Sequence, residues 1–167
     1  DVRVVAVEPA NCPSLTKGKY AYDFGDTAQM TPLVKMHPLG SSFVPPSSHA
    51  GGLRYHGMAP LVSQLVNLGQ VEPTAYSQTE CFEAGVTFAK AEGILPAPEA
   101  NHAVKGALVE AMRCKEEGES RAILFNLCGH GYFDMQAYMD YAAGKLADHP
   151  YDASEVAMAL SGLPSVA

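Results

Sequence analysis

The chain has 167 residues, of which 47% are hydrophobic and 17% are charged, and its formal net charge is −7. This balance is typical of a globular domain with a sizeable core, and it predicts neither disorder nor a coiled coil. Because lysine and arginine form no cluster, nucleic acids and anionic membranes are poor partners. No apolar run reaches the ~18 residues of a membrane span. The four cysteines lack metal-ligand spacing, which predicts a cytoplasmic protein with reduced thiols.

The first part of the sequence combines one strand with a long region rich in loops. The apolar run at residues 2–7 predicts a short buried strand. Residues 10–60 are rich in proline and glycine and show little periodicity, which is typical of functional loops. A helix is expected at residues 58–68, ended by Gly69. Its apolar face is predicted to consist of three leucines: Leu61, Leu65 and Leu68.

The second part alternates between strand and helix patterns. Strands are predicted at residues 71–76 and 122–127, and a capping box from Ser77 to Glu80 opens the helix between them. A second helix is expected at residues 99–117, and two more begin near Asp134 and Asp152. The inward face of the 99–117 helix is predicted to contain Val104, Leu108 and Met112. Strands separated by helices predict an α/β fold with a mostly parallel sheet flanked by helices.

Two glycine-rich motifs are the strongest candidates for a site. Residues 49–57 hold three glycines, two histidines, an arginine and a tyrosine, and the segment Cys128-Gly-His-Gly131 follows the predicted strand at 122–127. In open α/β sheets, ligands bind at the carboxyl ends of the strands. We therefore predict that the turn at residues 128–131 forms one wall of a ligand site.

Several sequence blocks resemble the tryptophan synthase beta chain, most of all its second, beta-like type. The blocks are Val7-Glu-Pro9, Tyr22-Asp-Phe-Gly-Asp-Thr27, His49-Ala-Gly-Gly-Leu-Arg-Tyr-His-Gly-Met-Ala-Pro60, Glu92-Gly-Ile-Leu-Pro-Ala-Pro-Glu99 and Asn126-Leu-Cys-Gly-His-Gly131. The resemblance implies that residues 1–167 are the C-terminal part of a type II pyridoxal-phosphate enzyme fold. It also implies synthesis of L-tryptophan from indole and L-serine or O-phospho-L-serine, in a homodimeric enzyme to which an alpha subunit can dock.

The resemblance places the cofactor lysine and the glycine-rich phosphate loop in an upstream half. None of the seven lysines here lies in such a motif, and the chain opens at Asp1 directly into a predicted strand. We therefore expect a segment of a longer polypeptide that is inactive alone, in preference to a half completed by a second chain. The alternatives in function are a non-catalytic partner subunit and a related pyridoxal-phosphate serine/threonine deaminase.

The resemblance assigns cofactor binding to Cys128, Gly129, His130 and Glu99. It places Cys128 against the pyridine nitrogen, where the family usually has serine. A neutral thiol there keeps that nitrogen unprotonated and favours β-replacement, whereas the alternative role is that of a small buried core residue. Glu99 would be the acidic group beside the cofactor ring, or alternatively a carboxylate placed by the helix macrodipole. The neighbouring His102 is predicted to be structural.

Arg54 is the residue in which the second type departs from the ordinary beta chain, which has an aspartate that binds the substrate hydroxyl. A guanidinium reverses the charge and fits a carboxylate or a phosphate, so Arg54 is predicted to favour an anionic donor. The alternative is an arginine that holds loop carbonyls. In this family the carbonyls of Tyr55 and Gly57 would bind a monovalent cation. His56 and His130 are predicted either to line a pocket or to be loop residues. They lack the spacing that a metal site would show.

Overall fold

The computed structural model describes residues 2–166. They form an α/β structure of four strands and six helices, which confirms the predicted class. The strands are β1 (Val5–Pro9), β2 (Ala21–Phe24), β3 (Leu33–Met36) and β4 (Glu72–Tyr76). The helices are α1 (Ser14–Lys17), α2 (Pro60–Asn67), α3 (Gln78–Glu92), α4 (Pro98–Glu117), α5 (Met135–Ala142) and α6 (Ala153–Ser161), and a 3₁₀ turn covers Gly51–Leu53.

The described strands form two small sheets. β1 pairs with β4 in a parallel sheet, whereas β2 and β3 form an antiparallel pair with Ala21 opposite Met36 and Phe24 opposite Leu33. This antiparallel pair lies within residues 10–60, which the sequence predicted to be loop, and β1 begins at Val5 rather than at residue 2. Both expectations were wrong in detail, because strands of four or five residues are too short for a clear period of two.

The chain divides into two compact units, each with its own core. The first contains the described residues up to Ser47, Leu53–Ala75 and those from His149 onward, and the second contains Ser48–Gly52 and Tyr76–Asp148. The core of the first unit is built from Cys12, Leu39, Phe43, Val156 and Ala159. The core of the second is centred on Phe82, Ala137 and Tyr138.

The ends of the helices follow the sequence closely. The Ser77 hydroxyl accepts a hydrogen bond from the Glu80 amide, and the Glu80 carboxylate accepts one from the Ser77 amide, so the predicted capping box is confirmed. Gly93 and Gly118 adopt φ of 70° and 68° directly after α3 and α4, a conformation that favours glycine. The Asp152 carboxylate caps α6, but Asp134 makes no side-chain cap to α5.

Two predicted apolar faces are exposed rather than buried. On the α2 face, Leu61 is 76% exposed, Leu65 is 39% exposed and Leu68 is 59% exposed. On α4, Val104 is buried, but Leu108 and Met112 are exposed to 36% and 53%. The helical periods were correct, but the prediction that Leu108 and Met112 face inward was wrong, because no described element covers them.

Residues 122–127 have no regular secondary structure and form no strand within the described residues. The Phe125 ring packs edge-on against Phe88 of α3, with ring centroids 5.7 Å apart, while Leu124 is 97% exposed. The predicted strand is therefore absent here, because a strand requires a neighbour with which to exchange backbone hydrogen bonds. No helix in residues 2–166 is both long and apolar enough to cross a bilayer.

Candidate active site

The turn at residues 128–131 is fastened to the connector between α3 and α4. The Ala97 amide donates to the Gly129 carbonyl at 2.9 Å, and the Gly131 amide donates to the Leu95 carbonyl at 2.8 Å. A Cβ atom on Gly131 would lie 2.4 Å from the Pro96 carbonyl oxygen, so this approach requires glycine. His130 forms an antiparallel bridge with Pro96, and the turn itself follows at Tyr132 and Phe133. The segment at residues 128–131 is therefore held by the connector rather than by a preceding strand.

Cys128 stands at the start of this turn and is exposed. The alternative of a small buried core residue is thus wrong for the described structure. His130, two residues later, lies against two aromatic rings, with centroid distances of 4.8 Å to Tyr132 and 5.4 Å to Phe133. The thiol is therefore accessible, on a turn whose backbone is fixed by hydrogen bonds.

Glu99 lies in the first turn of α4, two residues after the connector residue Ala97. Its Oε1 accepts a hydrogen bond from the Gly52 amide at 2.9 Å. The N-cap position of α4 is Ala97, which offers no side-chain cap. The carboxylate therefore links α4 to the glycine motif at residues 49–57, in addition to its favourable place at the helix N-terminus.

The connector thus brings Glu99 and the Cys128 turn together within the second unit. Ala97 bonds to Gly129 on one side and immediately precedes the helix that carries Glu99 on the other. The prolines at positions 96 and 98 restrict the connector backbone. The sequence predicted each of these residues separately, and the hydrogen bonds between connector and turn supply the link.

Sequence reasoning missed Gly52 as a contact of Glu99. A Cβ atom at Gly52 would lie 3.2 Å from Glu99 Oε1 and 3.3 Å from Cγ, so this position leaves little room for a side chain. The glycine pair in the motif was the available signal, but nothing in the sequence connects residue 52 with residue 99.

His102 agrees with its structural prediction. It is 3% exposed, and its Nδ1–H donates to the Pro98 carbonyl at 3.0 Å. Burial lowers the pKa of its imidazole, which favours the neutral ring. Its role is therefore to complete the first turn of α4.

Arg54 lies in the first unit and holds loop carbonyls. Its Nε donates to the Pro46 carbonyl at 2.8 Å, and its Nη2 donates to the Pro45 carbonyl at 2.7 Å. The side chain is exposed. The structural alternative for this arginine is therefore present in the molecule, and the prediction that it also binds an anionic donor remains a prediction.

The two residues predicted to bind a cation also lie in the first unit. The Tyr55 carbonyl accepts a hydrogen bond from the Cys12 thiol at 2.9 Å. Gly57 lies in a bridge with Pro38, and a Cβ atom there would be 2.6 Å from the Met36 sulfur. Burial raises the pKa of the Cys12 thiol to about 11, so that thiol stays protonated and donates. The cation site remains a prediction.

The remaining polar groups within residues 2–166 form no metal centre. His56 Nε2 donates to the Phe24 carbonyl at 2.8 Å, which makes it a loop residue. Across residues 2–166, no group of three or more histidine, cysteine, aspartate or glutamate side chains could hold a metal ion.

Comparison with known proteins agrees with the resemblance found in the sequence. No protein-family model matches this chain. It is 62% identical over 148 residues to "Tryptophan synthase beta chain 2" of Aquifex aeolicus, covering 89% of this chain and 34% of the relative. It is 59% identical over 144 residues to the protein of the same name from Methanosarcina acetivorans, covering 86% and 33%.

This chain is similar to tryptophan synthase beta chains of the second type. It spans about a third of the length of the curated relatives it matches. A "Tryptophan synthase beta chain" of Thermococcus gammatolerans is 55% identical over 152 residues, covering 91% of this chain and 34% of the relative. The predicted resemblance is confirmed.

A solved structure supports the fold. An L-serine ammonia-lyase from Rhizomucor miehei matches with a TM-score of 0.59 and 17% identity, over 87% of this chain and 42% of that protein. At this identity the match concerns the fold alone. It agrees with the predicted α/β class and with the assignment to the type II pyridoxal-phosphate enzyme fold.

Proposed function

We propose that this chain forms part of a pyridoxal-phosphate-dependent lyase that makes L-tryptophan from indole and L-serine or O-phospho-L-serine. The observation that carries the proposal is the 62% identity to a tryptophan synthase beta chain of the second type over 148 residues. The Cys128 turn and Glu99 support it, because the connector is hydrogen-bonded to the turn and leads directly into the helix that carries Glu99, where the resemblance expects cofactor contacts.

The residues of the turn fit the cofactor. The Cys128 thiol is exposed and neutral when protonated, and the Gly129 and Gly131 backbones are tied to the connector. A neutral thiol facing the pyridine nitrogen would lack the negative charge that stabilises a protonated ring, so it would favour the unprotonated nitrogen. When bound, pyridoxal phosphate supplies an electron sink for chemistry at the substrate α- and β-carbons. His130 would line the same wall.

Glu99 would act beside the cofactor as the acidic group. Its Oε1 accepts a hydrogen bond from the Gly52 amide, which restrains the carboxylate. That hydrogen bond leaves Oε2 as the oxygen that holds or accepts a proton from the substrate. A carboxylate fixed on one oxygen and reactive through the other is suited to general acid–base catalysis.

In the first unit, Arg54 would bind the substrate, and Tyr55 and Gly57 would bind an ion. A guanidinium carries only donors, so Arg54 cannot accept a hydrogen bond from the serine hydroxyl but can bind a phosphate. The carbonyls of Tyr55 and Gly57 would bind a monovalent cation, with the Tyr55 carbonyl shared with the Cys12 thiol.

The complete enzyme would need an N-terminal half that supplies the cofactor lysine and the phosphate loop. We propose a cytoplasmic homodimer of such complete chains, to which an alpha subunit can dock. This chain alone would be inactive, because no lysine in it lies in the motif that the family uses.

The proposal can be tested with a chimeric enzyme. In it, the 148 matching residues of the Aquifex aeolicus relative are replaced by the corresponding residues of this chain. We expect it to show the visible absorbance of bound pyridoxal phosphate and to form tryptophan from indole and a serine-type donor. Glu99→Gln should bind the cofactor but lose most tryptophan synthesis. A folded chimeric enzyme that binds no cofactor would overturn the proposal. One that binds it but only releases ammonia from serine would indicate a deaminase.

A further inference from the structure

A buried hydrogen-bond chain connects α4, α5 and the connector. The Asn101 Nδ2 donates to the Tyr138 hydroxyl at 2.9 Å, and that hydroxyl donates to the Pro96 carbonyl at 2.6 Å. Asn101 is 0% exposed and Tyr138 is 6% exposed. Because a buried carbonyl that loses its donor is costly, this chain fixes the connector at Pro96.

The Asn101 amide is itself held in one place. A Cβ atom on Gly85 of α3 would lie 2.0 Å from Asn101 Oδ1, so the absence of a side chain at residue 85 makes the space that the amide occupies. On α5, the Tyr138 ring packs edge-on against Phe82 of α3, with centroids 5.0 Å apart. The Asn101 amide and the Tyr138 ring therefore both pack against α3.

The connector is the element that joins the two halves of the candidate site. Pro96 stands between Leu95 and Ala97, whose backbones bond to Gly131 and Gly129. Glu99 follows on α4, two residues before Asn101. A shift of the Pro96 carbonyl would therefore move the Cys128 turn relative to Glu99.

We infer that Tyr138 and Asn101 are positioning residues that set the geometry between Glu99 and the Cys128 turn. This inference rests on the proposed function for its catalytic meaning, but the geometry it describes can be measured without catalysis. The sequence alone gave neither Tyr138 nor Asn101 a role.

The test compares Tyr138→Phe with Tyr141→Phe in the chimeric enzyme. Tyr138→Phe keeps the ring against Phe82 and removes the hydroxyl that donates to Pro96. Tyr141 is the matched control, since its ring stacks on Phe82 with centroids 5.8 Å apart but lies outside the hydrogen-bond chain. We expect Tyr138→Phe to raise amide hydrogen exchange at Ala97 and Gly131 by roughly tenfold, since one buried hydrogen bond is lost. The control should leave that exchange unchanged.

The catalytic readouts follow from the same displacement. In Tyr138→Phe, kcat for tryptophan formation should fall while KM for the donor stays within about twofold, because the misplaced groups act on chemistry. The absorbance of the bound cofactor should shift, since the thiol facing its ring nitrogen moves. The control should keep both the spectrum and kcat of the parent.

Unchanged exchange at Ala97 and Gly131, or an equal rise in Tyr141→Phe, would overturn the inference. If Tyr138→Phe does not fold, Asn101→Ala carries the test, with a smaller rise in exchange expected because Tyr138 can still reach Pro96. If neither variant folds, the two residues serve stability and the inference is wrong. If the parent chimeric enzyme is inactive but amide hydrogen exchange changes as expected, the proposed function is refuted while the inferred positioning role is supported.

Discussion

Arg54 gives the sharpest prediction about the substrate of the proposed enzyme. Its Nε and Nη2 donate to the carbonyls of Pro46 and Pro45. A guanidinium has five N–H donors, so three remain after these two bonds, including adjacent ones on Nη1 and Nη2. The side chain can therefore hold the loop with one edge and bind a phosphate through two parallel hydrogen bonds with the other.

The expected effect is a preference between two donors. A hydrogen bond to a charged group contributes about 1.5–3 kcal/mol. Expressed in the transition state, this corresponds to roughly 10- to 150-fold in kcat/KM. We expect the chimeric enzyme to prefer O-phospho-L-serine over L-serine by a factor in this range. Arg54→Asp should lower or reverse the preference, because a carboxylate repels the phosphate and accepts a hydrogen bond from the serine hydroxyl.

The assay is kcat/KM for each donor with indole in the parent and in the variants. Arg54→Asp also releases Pro45 and Pro46, but a loosened loop affects both donors and cancels in their ratio. Arg54→Lys keeps the charge without the planar fork and should retain only part of the preference. Arg121→Asp changes the net charge equally at an exposed arginine paired with Glu119 and should leave the ratio unchanged. A parent without preference, or an unchanged ratio in Arg54→Asp, would refute the reasoning.

Three further predictions concern the cofactor contact, the exposed faces and a helix cap. In the chimeric enzyme, Cys128→Ser should keep tryptophan synthesis close to that of the parent, whereas Cys128→Asp should protonate the ring nitrogen and lower kcat by at least about tenfold; equal small effects would leave the residue without a cofactor role. Residues 1–167 expressed alone should bind a hydrophobic dye and unfold without a sharp transition, and a cooperative melt would contradict this. The Ser77 amide and hydroxyl lower the pKa of Glu80, so its stabilising effect is present above pH 4.5 and is lost as the pH falls through the lowered value. Glu80→Ala should accordingly lower Tm at pH 7 in the chimeric enzyme, and a difference from the parent that stays constant down to pH 3 would refute this.

Local signals predicted the helix ends well. The Ser77 capping box and the glycines at 93 and 118 act within one turn of the helix that they begin or end, so the sequence around them carries the whole signal. The α/β class followed from the alternation of strands and helices. These features are determined by local sequence and depend little on long-range contacts.

Long-range packing was not predictable from the same signals. Leu108 and Met112 follow the helical period but lie exposed, because the period tells which residues share a face and not whether anything covers it. Residues 122–127 have a strand composition, yet pairing depends on a neighbour. The contact of Glu99 with Gly52 joins residues 47 positions apart, and no local pattern specifies it.

The apolar run Ala-Ile-Leu-Phe-Asn-Leu at residues 122–127 has a consequence for handling the protein. It is six residues long, contains neither proline, glycine nor a charged side chain, and makes no ladder within the described residues. Segments of this composition with unpaired backbone groups can stack with copies of themselves into cross-β assemblies. A truncation or proteolytic cut that leaves this run without a strand partner would therefore expose a segment prone to aggregation.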